Sequence, residues 1–278
     1  MNEAELLFTE IFNCDKVSLY LNKDFSLDKE KSSLLSSVLQ KRIKGEPIQY
    51  ILGKSEFMGL EFKVTPSVLI PRSETEILVE TVLKIVRQFA SLPVRQLRIL
   101  DLGTGSGNIA ISLAKYLPQA EIYATDISNN ALDIARANAK LNKVENKIKF
   151  VFSNLFTAYS LQCLTVYSLI VSNPPYIPTA EINNLQPEIT YEPRMALDGG
   201  KDGLDFFRRI IGQAPEYLKE GGFLIMEMGF KQAQAIKNIF QNSGNFEIIE
   251  VIKDYNNIER VVVAKRINSK SQIPNKSQ

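Results

Sequence analysis

The chain has no histidine in 278 residues, and its two cysteines, Cys14 and Cys163, stand alone and far apart. The missing imidazole counts against hydride transfer, which ordinarily needs a proton donor or acceptor beside the reacting carbonyl. No Cys/His cluster is available for zinc, and two solitary thiols fit a reducing compartment. No apolar run approaches the length of a membrane span, and no secretory leader is evident, so a cytoplasmic protein is expected. Excess charge is lacking too. The 33 basic and 31 acidic residues leave a net +2, without the basic stripe of a tight duplex binder. There is no internal repeat. With 45% hydrophobic residues, the chain can bury one sizeable core and a second small one.

Among what is present, the tetrapeptide Asn173-Pro174-Pro175-Tyr176 is the most informative. It follows an apolar run at 167–172 that reads as a buried strand. Two prolines cannot continue a sheet, so the chain leaves the strand end as a stiff, extended loop. Ligands of α/β sheets bind at such carboxyl ends. The Asn173 side-chain oxygen and the Pro174 carbonyl can both accept from one NH2 group, and Tyr176 can lie against the plane that carries it.

A second motif stands upstream. The run Leu97 to Leu102 ends in Gly103-Thr104-Gly105-Ser106-Gly107, and the residues after it have helical apolar spacing. Glycines let a ligand approach the main chain closely. The third glycine falls one position early for a dinucleotide fingerprint, with Asn108 in the expected place. Another strand-like run ends in Asp126, about 20 residues on, where an acid takes ribose hydroxyls. Turn and acid together indicate an adenosine-type cofactor, either NAD or S-adenosylmethionine. Chemistry favours the second. A sulfonium methyl is already activated, so the site needs alignment and preorganised acceptors rather than a base.

The first stretch reads as helical, with Ser26 capping a helix that carries Leu34, Leu35, Val38, Leu39 and Ile43. Residues 57–64 alternate around a glycine as a hairpin. Ser73 and Glu76 match a capping box for the next helix. From Leu97, strands expected at 97–102, 120–126, 147–152, 167–173 and 222–228 alternate with helices at 107–117, 129–141, 202–219 and 231–242. Runs at 246–252 and 260–264 close the pattern as an antiparallel hairpin. This predicts an α/β, Rossmann-like S-adenosylmethionine-dependent methyltransferase fold with a seven-stranded sheet and a small N-terminal helical domain. The expected division is 1–54 helical domain, 55–72 hairpin linker, 73–267 methyltransferase domain and 268–278 polar tail. Asp198 and Asp202 invite a metal reading, but a loop and helix-capping role suffices.

The sequence resembles the release-factor glutamine N5-methyltransferases (HemK/PrmC family). The resemblance rests on Gly45-Glu46-Pro47-Ile48-Gln49-Tyr50-Ile51-Leu52-Gly53, Phe57 to Phe62, Leu69 to Glu76, Asp101 to Gly107, Asn173 to Ile177, Tyr191 to Gly200 and Glu227-Met228-Gly229. It implies methylation of the glutamine in the Gly-Gly-Gln loop of peptide chain release factors, by a monomer that needs no metal. Gly103, Thr104, Gly105, Ser106 and Gly107 would hold the cofactor, Asp126 its ribose, and Asn154-Leu155 its adenine. Asn173, Pro174, Pro175 and Tyr176 would hold the glutamine, with Asn173 also near the cofactor and Asn173, Pro174 and Tyr176 carrying catalysis. The helical domain would help dock the release factor. Asn154 stands where relatives often carry an acid, and Leu155 where some have an aromatic.

Two other readings compete. An Asn-Pro-Pro-Tyr loop also suits a nucleic-acid exocyclic amine (adenine N6 or guanine N2), against which stands the near-neutral charge. A non-catalytic binding protein would have little use for an intact glycine loop, Asp126 and Asn173.

Overall fold

The computed structural model describes residues 3–22, 26, 28–88, 97–158 and 166–267. Cys163, the expected connection at 91–96 and the tail from 268 lie outside the described residues. Four helices come first: α1 (Glu3–Phe12), α2 (Lys16–Leu21), α3 (Lys29–Ile43) and α4 (Ile48–Leu52). Leu7, Ile11, Val38 and Ile48 form their small core. The cap of α3 is Asp28, whose carboxylate accepts from Lys31 N at 2.8 Å, and not Ser26. The helix starts after Asp28, which places Ser26 too far upstream to reach its free N–H groups.

The hairpin β1 (Lys54–Phe57) and β2 (Leu60–Lys63) buries Phe57 and Phe62 edge to face, with centroids 6.1 Å apart. Helix α5 (Ser73–Gln88) follows. The expected capping box is not made, because the Glu76 carboxylate accepts from Met58 N in the hairpin turn. A tertiary partner displaces the local one.

The remaining elements are β3 (Arg98–Leu102), α6 (Asn108–Tyr116), β4 (Glu121–Asp126), α7 (Asn129–Leu141), β5 (Ile148–Phe152), β6 (Tyr167–Ser172), α8 (Asp205–Tyr217), β7 (Leu218–Glu227), α9 (Ala233–Ser243), β8 (Phe246–Lys253) and β9 (Glu259–Arg266). They build one seven-stranded sheet in the order β5-β4-β3-β6-β7-β9-β8, parallel except for β9. Residues alternate between its two faces. Ile99, Ile122, Val171 and Ile225 pack beneath α5 and α6, while Leu100, Ile170, Leu224 and Met226 meet α8 and α9. β7 begins at Leu218, four residues before expectation, because Leu218 pairs with Tyr167 ahead of a register shift and the strand resumes past Gly221 and Gly222. α8 correspondingly spans less than the expected 202–219, since Asp202 closes a turn onto Leu204 N.

Candidate functional site

The strand order reverses between β3 and β6, and the two signature loops leave the carboxyl ends of these neighbouring strands. The Ser172 hydroxyl ties them together by donating to Leu102 O at 2.8 Å. Gly103 and Gly105 have φ of +74° and +55°, and a Cβ on either would meet nothing within 4 Å, so the bare main chain faces open space. Gly107 has a different role. A Cβ there would stand 2.8 Å from Ile111 Cδ1 and 3.1 Å from Ala135 Cβ. Gly107→Ala, at φ +84°, is therefore expected to cost about 1–3 kcal/mol, measurable as a lower urea midpoint.

Thr104 and Ser106 are buried beneath the loop. The Thr104 hydroxyl donates to Asp101 Oδ2 at 2.7 Å, and Ser106 O accepts from the Asn138 amide at 2.9 Å. Asp101 is fully buried with Oδ1 unpartnered. Burial pushes its carboxyl up to about 7; Thr104 and the Ala110 N–H oppose the rise, and Asp126 adds to it.

Asp126 ends β4. Its Oδ2 accepts from Gly105 N and its Oδ1 from Ser128 N, each at 2.9 Å. Each oxygen retains an acceptor position, and the carboxylate lines the cavity. Burial raises its pKa above the ordinary value. Ser153 continues the line by donating its N–H to Asp126 O and its hydroxyl to Leu155 O. Leu155 is held at φ +55°.

These groups enclose a cavity of about 340 Å³, lined by Gly103, Gly105, Asp126, Asn154, Leu155 and Asn173, among others. Beside it lies a recess of about 110 Å³ lined by Arg72, Asn173, Pro174, Tyr176 and Glu192. Asn173 and Pro174 belong to both and form the partition, together with Leu69 and Ala196. The Asn173 Nδ2 donates to Thr75 Oγ1 at 3.1 Å, which leaves its Oδ1 as an acceptor. Gln232 Nε2 holds Tyr176 O at 2.8 Å. The Tyr176 hydroxyl stands 3.5 Å from Glu227 Oε1, and burial raises its pKa well above the phenol range, so it stays neutral.

Arg72 places one nitrogen 2.8 Å from both oxygens of Glu192, whose side chain is 1% exposed. Beyond this pair, a third recess of about 240 Å³ reaches the helical domain at Arg42, Pro47 and Ile48. Arg42 bridges Glu3 of α1 and Glu188, and Tyr191 donates to Lys44 O. Asp198 and Asp202 are occupied locally, Asp198 by Thr179 and Gly200 N, Asp202 by Arg208 and Leu204 N.

Residues 1–53 match the family model of the PrmC N-terminal domain, and residues 74–200 that of the methyltransferase small domain. A release factor glutamine methyltransferase of Geobacter sulfurreducens is 44% identical over 94% of this chain and 87% of its own length. One from Thermodesulfovibrio yellowstonii is 40% identical, over 97% and 94% respectively. The chain belongs to the release factor glutamine methyltransferase family. Solved structures agree in fold. The hMettl16 catalytic domain, in complex with the MAT2A 3′UTR hairpin 1, superposes with a TM-score of 0.61 at 17% identity, over 87% of this chain and 82% of that one. A methyltransferase from Pyrococcus furiosus gives 0.55 at 17% identity, over 87% and 100%.

In this methyltransferase, the predicted residues Gly103, Gly105, Asp126, Asn154, Leu155, Asn173, Pro174 and Pro175 line the larger cavity, whereas Tyr176 lines the smaller recess. Thr104, Ser106 and Gly107 shape the loop from beneath. Sequence reasoning missed Arg209 and Phe206 of α8, which close the far wall. Arg209 donates to Asn154 Oδ1 at 2.7 Å, so the amide has its acceptor engaged by a cation. An i, i+3 pair on an amphipathic helix gives no signal of its own. Thr75 was likewise hidden inside a helix start.

Proposed function

We propose that this chain transfers a methyl group from S-adenosylmethionine to the side-chain amide nitrogen of the glutamine in the Gly-Gly-Gln motif of peptide chain release factors. The observation that carries the reading is the shared partition. Asn173 and Pro174 stand between a cavity fit for a nucleoside and a recess fit for a side chain. The residues suit the cofactor: a bare glycine backbone, a carboxylate with open acceptor positions, and mainly apolar walls.

When bound, the cofactor supplies an activated methyl and leaves as a thioether. Asp126 would take the ribose hydroxyls, and Asn154, Leu155 and Arg209 would surround the adenine. Asn173 Oδ1 and Pro174 O would each accept one hydrogen of the glutamine NH2. Two acceptors return electron density to a nitrogen whose lone pair is otherwise delocalised into the carbonyl. They would also hold the amide nitrogen facing the larger cavity. Methylation would make that nitrogen acidic, and its proton would leave to water. Arg72 and Glu192 wall the recess toward the helical domain at residues 1–54, which would receive the release factor.

The experiment is transfer of labelled methyl to purified release factor and, separately, to DNA and RNA. Label on the factor, lost when its glutamine is replaced, supports the reading; label on nucleic acid alone overturns it. The names of the relatives favour the protein substrate over the exocyclic-amine alternative. Asp126→Ala is expected to weaken cofactor binding roughly 10- to 100-fold, as loss of charged hydrogen bonds would. Unchanged calorimetric affinity would remove Asp126 from the ribose site.

A further inference from the structure

We infer that Arg209 sets how the purine is recognised: through its ring nitrogens, with its 6-amino group left without a protein partner. The inference rests on the S-adenosylmethionine reading above and makes Arg209 a specificity-determining residue within it. Adenine offers two kinds of handle. Its amino group donates, and its ring nitrogens accept. A site that reads the amine therefore needs an open acceptor, and a site that reads the ring needs a donor.

Ser153, Asn154 and Leu155, in the turn after β5, line the cavity together with Phe206 and Arg209 of α8. The oxygens of this turn are in use. Asn154 O accepts from Thr157 N at 3.3 Å, and Leu155 O accepts from the Ser153 hydroxyl at 2.6 Å. The Ser153 oxygen in turn accepts from Ala158 N at 3.1 Å. Asn154 Oδ1 accepts from Arg209 Nη2 at 2.7 Å.

That last contact decides the chemistry. A guanidinium only donates, so the Asn154 atom that faces it must be the oxygen. The amide is thereby held one way round, with Nδ2 and its two hydrogens turned away from Arg209. Among the described residues, Nδ2 has no hydrogen-bond partner. Arg209 is held from a second side, its guanidinium lying 5.6 Å from the centroid of the Phe206 ring. No carboxylate among the described residues pairs with it, and the neighbouring acids Asp202 and Asp205 pair with Arg208 instead. An uncompensated cation and a free amide NH2 both favour a ring nitrogen and disfavour the hydrogens of an amine. The bond from Arg209 is charge-assisted, so a neutral amine does not displace it.

The test is calorimetric binding to the full chain of S-adenosylhomocysteine and of its analogue with unsubstituted purine in place of adenine. The analogue lacks only the amino group. In the parent it is expected to bind within about threefold of S-adenosylhomocysteine, because no hydrogen bond to the protein is lost. Arg209→Met keeps an apolar stem and removes the donors. Asn154 Oδ1 is then open to the amine, and the analogue should become roughly tenfold the weaker ligand. Asn154→Asp reaches the same end with Arg209 in place, since one carboxylate oxygen serves the cation and the other the amine. Each variant is judged by its own ratio of affinities, so a general loss of binding does not enter. A penalty above about threefold in the parent, or one that neither substitution raises, overturns the inference. A parent chain that binds no S-adenosylhomocysteine overturns the functional reading, a result distinct from any change in the ratio.

Discussion

Replacing Asn173 with alanine should lower turnover roughly 10²–10³-fold, the penalty of losing one preorganised polar group at a reacting centre. In the proposed reaction the residue supplies the acceptor that makes a delocalised amide nitrogen nucleophilic, and the other polar side chains described in the recess are engaged elsewhere. Tyr176 is neutral and already faces Glu227, and Arg72 is held by Glu192. The Pro174 carbonyl remains, which keeps some alignment and bounds the loss. Cofactor affinity should change much less, because Gly103, Gly105 and Asp126 are untouched. Single-turnover kinetics with labelled cofactor, set beside a calorimetric titration, separates the two effects. Near-normal turnover would contradict the role assigned to the carboxamide.

The second large effect is on stability as pH rises. Asp101 and Glu227 are both fully buried, and burial pushes each up to about 7 from ordinary values near 4. Between those limits the unfolded chain has released protons that the folded chain keeps. The stability these two groups contribute is therefore fully present below about 4, is lost as pH rises from there through about 7, and levels off above. Solvent relaxation moderates buried charges, so the combined loss is on the order of 3 kcal/mol. Thermal unfolding at pH 5.5 and 8.5 should show the lower Tm at the higher pH. Asp101→Asn with Glu227→Gln should flatten the difference; a Tm that climbs with pH in the parent would refute the assignment.

Much of the architecture was legible because its signals are local. Apolar runs ending before Gly103, at Asp126 and before Asn173-Pro174 marked β3, β4 and β6, and the two terminal runs at 246–252 and 260–264 marked β8 and β9. Local signals misled where a neighbour in space competed. Ser26 and Asp28 are both good caps, and only the start of α3 selects Asp28. Glu76 had the right spacing for a capping box, but the hairpin turn claims its carboxylate. In the site, Asn173, Pro174 and Asp126 were visible as residue types in the right order. Their supports were not. Thr75 and Glu192 stood in stretches that carry the resemblance but had no role assigned, and Arg209 stood in none; each reaches the cavity or its partition only through packing of distant elements.

β9 lies between β7 and β8, although it follows both along the chain. During synthesis, the flank of β7 that will receive β9 therefore stays bare until residues 259–266 have emerged. Leu224, Ile225 and Met226 pair there with Ala264, Val263 and Val262. A nascent chain halted short of Glu259 carries an apolar open edge suited to pairing with other copies, and aggregation is its expected fate. Glu227, which faces the Tyr176 hydroxyl, shares that edge through its pairing with Val261, so the end of the sheet beside Tyr176 is completed only when β9 has emerged.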